Sequence, residues 1–102
     1  MHVFDLGGID FRNSDKPSKE VFFESSEFSA RVVALPPGAQ MPPCEMSAYV
    51  LFYVLDGEAE VTAKSQTALI ATGQCLISEP TTLSMRTKDG ARILGIQVAM
   101  NE

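Results

Sequence analysis

One hundred and two residues suit one domain, with a core large enough to fold without disulfide or metal staples. Apolar residues make up 45% and charged residues 21%, the balance of a soluble globular protein, and the net charge of −5 argues against nucleic acid and anionic membrane surfaces as partners. No apolar run approaches the roughly 20 residues of a membrane helix, and the opening MHVFDLGGIDF lacks the basic and long apolar regions of a signal peptide, so a cytoplasmic location is expected.

No helical period runs through the chain. Short stretches rich in β-branched and aromatic residues recur between turn residues at close spacing, the pattern of an all-β sandwich or barrel. The expected strands are His2–Asp5, Glu20–Glu24, Ser29–Leu35, Tyr49–Leu55, Glu58–Ala63, Thr67–Ile70, Cys75–Ile77, Leu83–Thr87 and Arg92–Ala99. Between them, Gly7-Gly8 reads as a turn, and Asn13–Ser18, polar and holding Pro17, reads as a loop. Pro36-Pro37-Gly38 and Pro42-Pro43 bracket a second irregular segment that a strand ladder is not expected to cross. Asp56-Gly57, set between two apolar runs, has the composition of a type I′ hairpin turn. Lys64-Ser65 is a tight connection by position, while Ala71-Thr72-Gly73 and Lys88-Asp89-Gly90 each supply a glycine where a turn needs a left-handed residue. Past Gly57, Ala59, Val61 and Ala63 alternate with Glu58, Glu60 and Thr62, as in a half-buried strand with small residues inward.

Two cysteines, Cys44 and Cys75, are too few for a disulfide framework and too far apart for a CxxC signature. Free cysteine is among the most buried residue types, so both are expected as small core hydrophobes.

The stretch Gly38–Gly57, GAQMPPCEMSAYVLFYVLDG, resembles the first motif of the cupin family: G, five residues, HxH, three or four residues, E, six residues, G. In that frame Cys44 and Met46 stand at the histidines and Val50 at the glutamate. The second motif reads G, five residues, PxG, two residues, H, three residues, N. Gly73 and Pro80 resemble its start, with six residues between them instead of five. Counting from Gly73 puts Ser84 at the histidine, and counting from Pro80 puts Met85 there. The resemblance covers about residues 35–98 and implies a double-stranded β-helix, a jelly-roll barrel of two antiparallel sheets, as one domain over residues 1–102. It also implies a homodimer, with His2–Asp5 and Arg92–Met100 as strands that could pair across the subunit interface.

Many enzymes of the family hold a mononuclear metal on three histidines and a carboxylate. Cys44, Met46, Val50 and Ser84 or Met85 offer a thiol, thioethers, an alkyl group and at best a hydroxyl, so neither a metal site of that kind nor any other cofactor is expected. His2, the only histidine, lies far from both motifs, which leaves the family's metal-free isomerases and epimerases without their usual base. Ser47, Ser65, Ser78 and Ser84 likewise lack a histidine partner. Glu20, Glu24, Glu27, Glu58 and Glu60 read as a solvated face.

Strand parity puts Cys44, Met46, Ala48, Val50, Phe52 and Val54 on one apolar face. The expectation is therefore a metal-independent binding module whose pocket, at Cys44, Met46, Val50, Phe52, Ser84 and Met85, takes a small organic ligand or a partner segment. One alternative is a metal-free or atypical cupin enzyme, isomerase- or epimerase-like, signalled by a charge inside the barrel. Arg31 and Arg86 are the side chains that could supply it. Another is a Cu(I) site on the sulfurs of Cys44, Met46 and Met85, with Met41 close by.

Overall fold

The computed structural model describes residues 1–8 and 18–98. After a single turn of 3-10 helix at Leu6–Gly8 come β1 (Ser18–Glu24), β2 (Phe28–Leu35), β3 (Gln40–Met46), β4 (Val50–Ala63), β5 (Gln66–Ala71), β6 (Cys75–Ser78), β7 (Thr81–Arg86) and β8 (Ala91–Val98). Every pairing is antiparallel. One sheet runs β1-β2-β8-β4-β6 and the other runs β3-β7-β4-β5. The two antiparallel sheets expected of a double-stranded β-helix are present. No helix among the described residues is long and apolar enough to cross a membrane.

β4 belongs to both sheets. Its first part, from Val50 to Gly57, pairs with β8 and in part with β6, and Glu58–Ala63 pairs with β5. Val50, Phe52 and Val54 are buried before the handover, Ala59 and Val61 after it, so the inward parity changes from even to odd. A β-bulge makes the change: Val54 faces Ile93, Asp56 faces Arg92, and Leu55 is the extra residue. Gly57 follows at φ 89°, and its backbone lies against the β7–β8 connection so closely that a Cβ would sit 2.1 Å from the Gly90 carbonyl oxygen. The expected hairpin at Asp56-Gly57 is therefore absent. Its composition serves a bulge, which demands the same positive φ that a tight turn does.

A second correction concerns the prolines. Pro42 and Pro43 lie inside β3, which pairs with β7 on either side of them, Met41 opposite Met85 and Cys44 opposite Leu83, with the register shifting in between. The ladder tolerates them because β3 is an edge strand and they occupy its irregular step, so no inter-strand N–H is missed.

The tight turn at Lys64-Ser65 is present, with Lys64 at φ 57°, and Gly73 and Gly90 adopt positive φ in the later connections as expected. At the N-terminus, His2–Asp5 forms no strand. The His2 and Phe4 rings pack against Phe22 and Phe23, and the Leu6 carbonyl accepts a hydrogen bond from Arg92 Nη1 at 3.0 Å. β8 lies between β2 and β4 with both edges paired, so it has no free edge for a partner subunit's strand. The predicted loop at Asn13–Pro17 and the end of the last strand beyond Val98 lie outside the described residues, and Ser18 opens β1.

The core sits between the sheets. Val33, Leu35, Val54, Ala91 and Ile93 from the first sheet meet Val61, Ile70, Leu83 and Met85 from the second. Burying one such aliphatic side chain contributes about 1.5–3 kcal/mol, so this cluster dominates the stability. Both cysteines are exposed, which corrects their expected burial: Cys75 shares the outer parity of Tyr53, and Cys44 lies on the edge strand β3. A further apolar row crosses the outer face of the first sheet, from Ile77 through Leu51 and Ile96 to Ala30.

Candidate functional site

Alternation along the strands aims one set of side chains into the space between the sheets. Arg31 and Val33 come from β2, Gly95 and Gln97 from β8, and Val50 and Phe52 from β4. Leu83 and Met85 come from β7, and Met41, Cys44 and Met46 from β3. These residues line a cavity of about 60 Å³, joined by Lys19, Pro42, Ser84 and Ile96. The cavity is small and partly open to solvent. Larger ligands must project from the mouth, which Lys19 of edge strand β1 and Pro42 and Cys44 of edge strand β3 border.

All six pocket residues read from the sequence, Cys44, Met46, Val50, Phe52, Ser84 and Met85, line this one cavity. They differ in character. Val50, Phe52 and Met85 are buried, Met46 and Ser84 half-buried, and Cys44 exposed with its thiol directed at the Glu45 carbonyl. Strand parity separates Ser84 from Met85. Met85 stands in an inward row between Met41 and Val61, whereas Ser84 pairs with Thr62 on the outward row, so Met85 holds the inward position.

The metal implied by the resemblance does not fit these residues. Around the cavity stand one thiol, three thioethers, one carboxamide and a serine hydroxyl, a donor set unsuited to the hard and borderline divalent ions that imidazole and carboxylate hold. Among the described residues no three of His, Cys, Asp and Glu come together, and His2 packs at the N-terminal aromatic cluster.

The cavity has charge of one sign. Arg31 and Lys19 line it, and no Asp or Glu does among the described residues. Arg31 is half-buried, and its Nη2 donates to Ser29 Oγ at 3.0 Å and to Gln97 Oε1 at 3.1 Å. Gly95 makes the room: a Cβ there would come within 3.4 Å of both Arg31 Cγ and Phe52 Cε1. The two arginines singled out in the sequence thus part company. Arg86 points outward, its side chain 67% exposed, with Nη2 2.8 Å from Glu60 Oε1 in a surface ion pair. Lys19, Gly95, Ile96 and Gln97 escaped the sequence reading. The alternation Arg31, Val33, Leu35 was the available signal, since it places a guanidinium on the parity of two core residues.

No protein-family model matches the sequence, and no curated protein matches it. Solved structures do resemble the fold. A cupin superfamily protein from Desulfitobacterium hafniense superposes with a TM-score of 0.85 at 16% identity, over 93% of this chain and 87% of that one. An RmlC-like cupin protein from Desulfovibrio desulfuricans gives 0.85 at 18%, covering 96% of each chain. A Schizosaccharomyces pombe cupin domain gives 0.83 at 20%, over 96% of this chain and 74% of that one. With two antiparallel sheets, a strand shared between them and these three superpositions, the chain has the cupin fold.

Proposed function

We propose that this chain is a metal-independent binding module whose cavity takes the apolar part of a small organic ligand. The observation that carries the reading is the cavity of about 60 Å³ between the sheets, walled by Val33, Val50, Phe52, Leu83 and the three methionines Met41, Met46 and Met85. Concave apolar space with a few polar groups at its rim is the usual form of a ligand site, and methionine lining adapts to varied shapes. Binding is favoured over catalysis because no imidazole or carboxylate faces the cavity among the described residues, leaving proton transfer without a ready base. The exposed, unpaired Cys44 and Cys75 suit a reducing compartment, and the cytosol is the proposed location.

The test uses methionine methyl groups as reporters. In protein carrying labelled methionine methyls, titration with n-butanol should shift the resonances of Met41, Met46 and Met85 saturably and leave Met1 in place. No saturable shift at those three methyls would mean the barrel is closed to ligands and would overturn the reading.

One observation favours a second reading. Met41, Cys44, Met46 and Met85 bring four sulfur atoms to a single cavity, the ligand chemistry that selects Cu(I).

We also propose a homodimer. With no free edge on β8, the outer face of the first sheet is the candidate interface, where Ile77 is 67% exposed and Tyr53 38%.

A further inference from the structure

We propose that Arg31 is the head-group site of this cavity and that it selects ligands bearing a carboxylate on a short apolar chain. The inference rests on the binding reading above and names the chemistry of its ligand.

A guanidinium on the inner face of a barrel is costly to desolvate unless its charge is compensated. Arg31 shares its inward parity with Val33 and Leu35, and its row runs through Gly95 to Phe52. The two groups that hold it, Ser29 Oγ and Gln97 Oε1, are neutral, so they orient the guanidinium without balancing its charge. Both bonds come from Nη2. The Nε–H and the two hydrogens of Nη1 have no partner among the described residues. Glu24 lines an adjoining hollow with Arg31 and Gln97, yet it makes no ion pair with Arg31. Arg86 supplies the contrast: its charge is answered by Glu60 at the surface, as a structural arginine's usually is.

The ligand's charge follows from the lining. Among the described residues Arg31 and Lys19 give the cavity two cations and no anion, in a chain of net charge −5, so an incoming anion meets a local field opposite to that of the whole molecule. A carboxylate matches the planar guanidinium and brings a single charge. A phosphate would bring more charge and bulk into a mouth bordered by Pro42, Cys44 and methionine. The cavity of about 60 Å³ then favours a short apolar chain.

The experiment compares butyrate, n-butanol and inorganic phosphate on the wild-type protein and on R31Q and R31K, followed by the same methionine methyl shifts. Butyrate should bind wild type about tenfold more tightly than n-butanol, the worth of one partly exposed charge-assisted pair. R31Q should abolish the preference, so that butyrate and n-butanol bind that variant equally. R31K, a point charge lacking the planar fork, should keep only part of the preference. If n-butanol binds and butyrate binds no better, the head-group proposal falls while the cavity reading stands. If neither shifts the methyls, the cavity reading falls and takes this one with it. Phosphate binding more tightly than butyrate, or a butyrate preference that survives R31Q, also overturns the proposal. The comparison on wild type needs no variant, so it decides the matter even if R31Q fails to fold.

Discussion

Replacing Gly57 by alanine should be among the most damaging single-methyl changes in this chain. Gly57 sits at φ 89°, where an L-residue costs about 1–2 kcal/mol. The added Cβ would stand 2.1 Å from the Gly90 carbonyl oxygen and 2.9 Å from Ala91 Cα, both backbone atoms with no rotamer to turn away. Nor can Gly57 swing free: its N–H donates to Thr72 Oγ1 at 3.0 Å and its carbonyl accepts from Thr72 N at 3.0 Å. Forcing the backbones apart adds about 1–3 kcal/mol, as overpacking does elsewhere. The sum is about 3 kcal/mol, or about 15 °C of melting temperature at about 5 °C per kcal/mol for a domain of this size. Gly38→Ala is the matched control, because Gly38 has φ 80° and its new methyl would meet nothing within 4 Å, leaving the conformational part alone at about 1–2 kcal/mol. Thermal unfolding followed by circular dichroism measures both. Equal losses in the two variants would refute the close-approach argument and show that the Gly90 turn yields without cost.

Thr87→Val should destabilise by about 1–3 kcal/mol in urea titrations, because Thr87, 6% exposed, donates to the Glu58 carbonyl at 2.7 Å and accepts from the Gly90 N–H at 2.9 Å, and valine leaves both unanswered. Thr87→Ser should recover most of that loss. Elemental analysis of protein purified without chelators should find no stoichiometric Fe, Mn, Ni, Co or Zn, while equimolar copper would favour the sulfur-site reading over the binding module. Light scattering at micromolar concentration should give twice the chain mass of 11.1 kDa, and Ile77→Lys should return the protein to monomer; a wild-type monomer would dismiss the dimer.

The strands were legible where β-branched and aromatic runs alternate, and β2, β5, β6, β7 and β8 lie within a residue or two of their expected places. The failures came from features whose composition fits two geometries. A positive-φ glycine between apolar runs reads as a hairpin, and only the partner strands reveal that Asp56-Gly57 is a bulge within one continuous strand. Two adjacent prolines argue against a ladder, and whether they interrupt one depends on which side of the strand is unpaired, a property of the sheet and not of the segment. Cys44 showed the same limit. Its parity was right, but β3 forms an edge, so the inward side reaches the mouth of the cavity and not its floor. Cys44, Met46, Val50 and Phe52 were reached through the spacing from Gly38 to Gly57, which places positions in a barrel whether or not they bear ligands, and all four line the cavity. The charged wall was harder to see. Arg31 carried a signal in its parity, whereas Gln97 and Gly95 acquire meaning only when β8 is laid beside β2.

β4 has a consequence for how the molecule comes apart. Because its two halves are laddered into different sheets, neither sheet can open as an independent unit without stripping part of a strand that the other sheet holds in place. Local openings should therefore be confined to the four strands paired on one side only, β1, β3, β5 and β6, while the amides of Val54 and Val61 exchange with solvent at a common rate set by unfolding of the whole barrel. A ligand held at the mouth between β1 and β3 would then quieten two of the strands that open most readily, and its binding would register as slowed exchange along both.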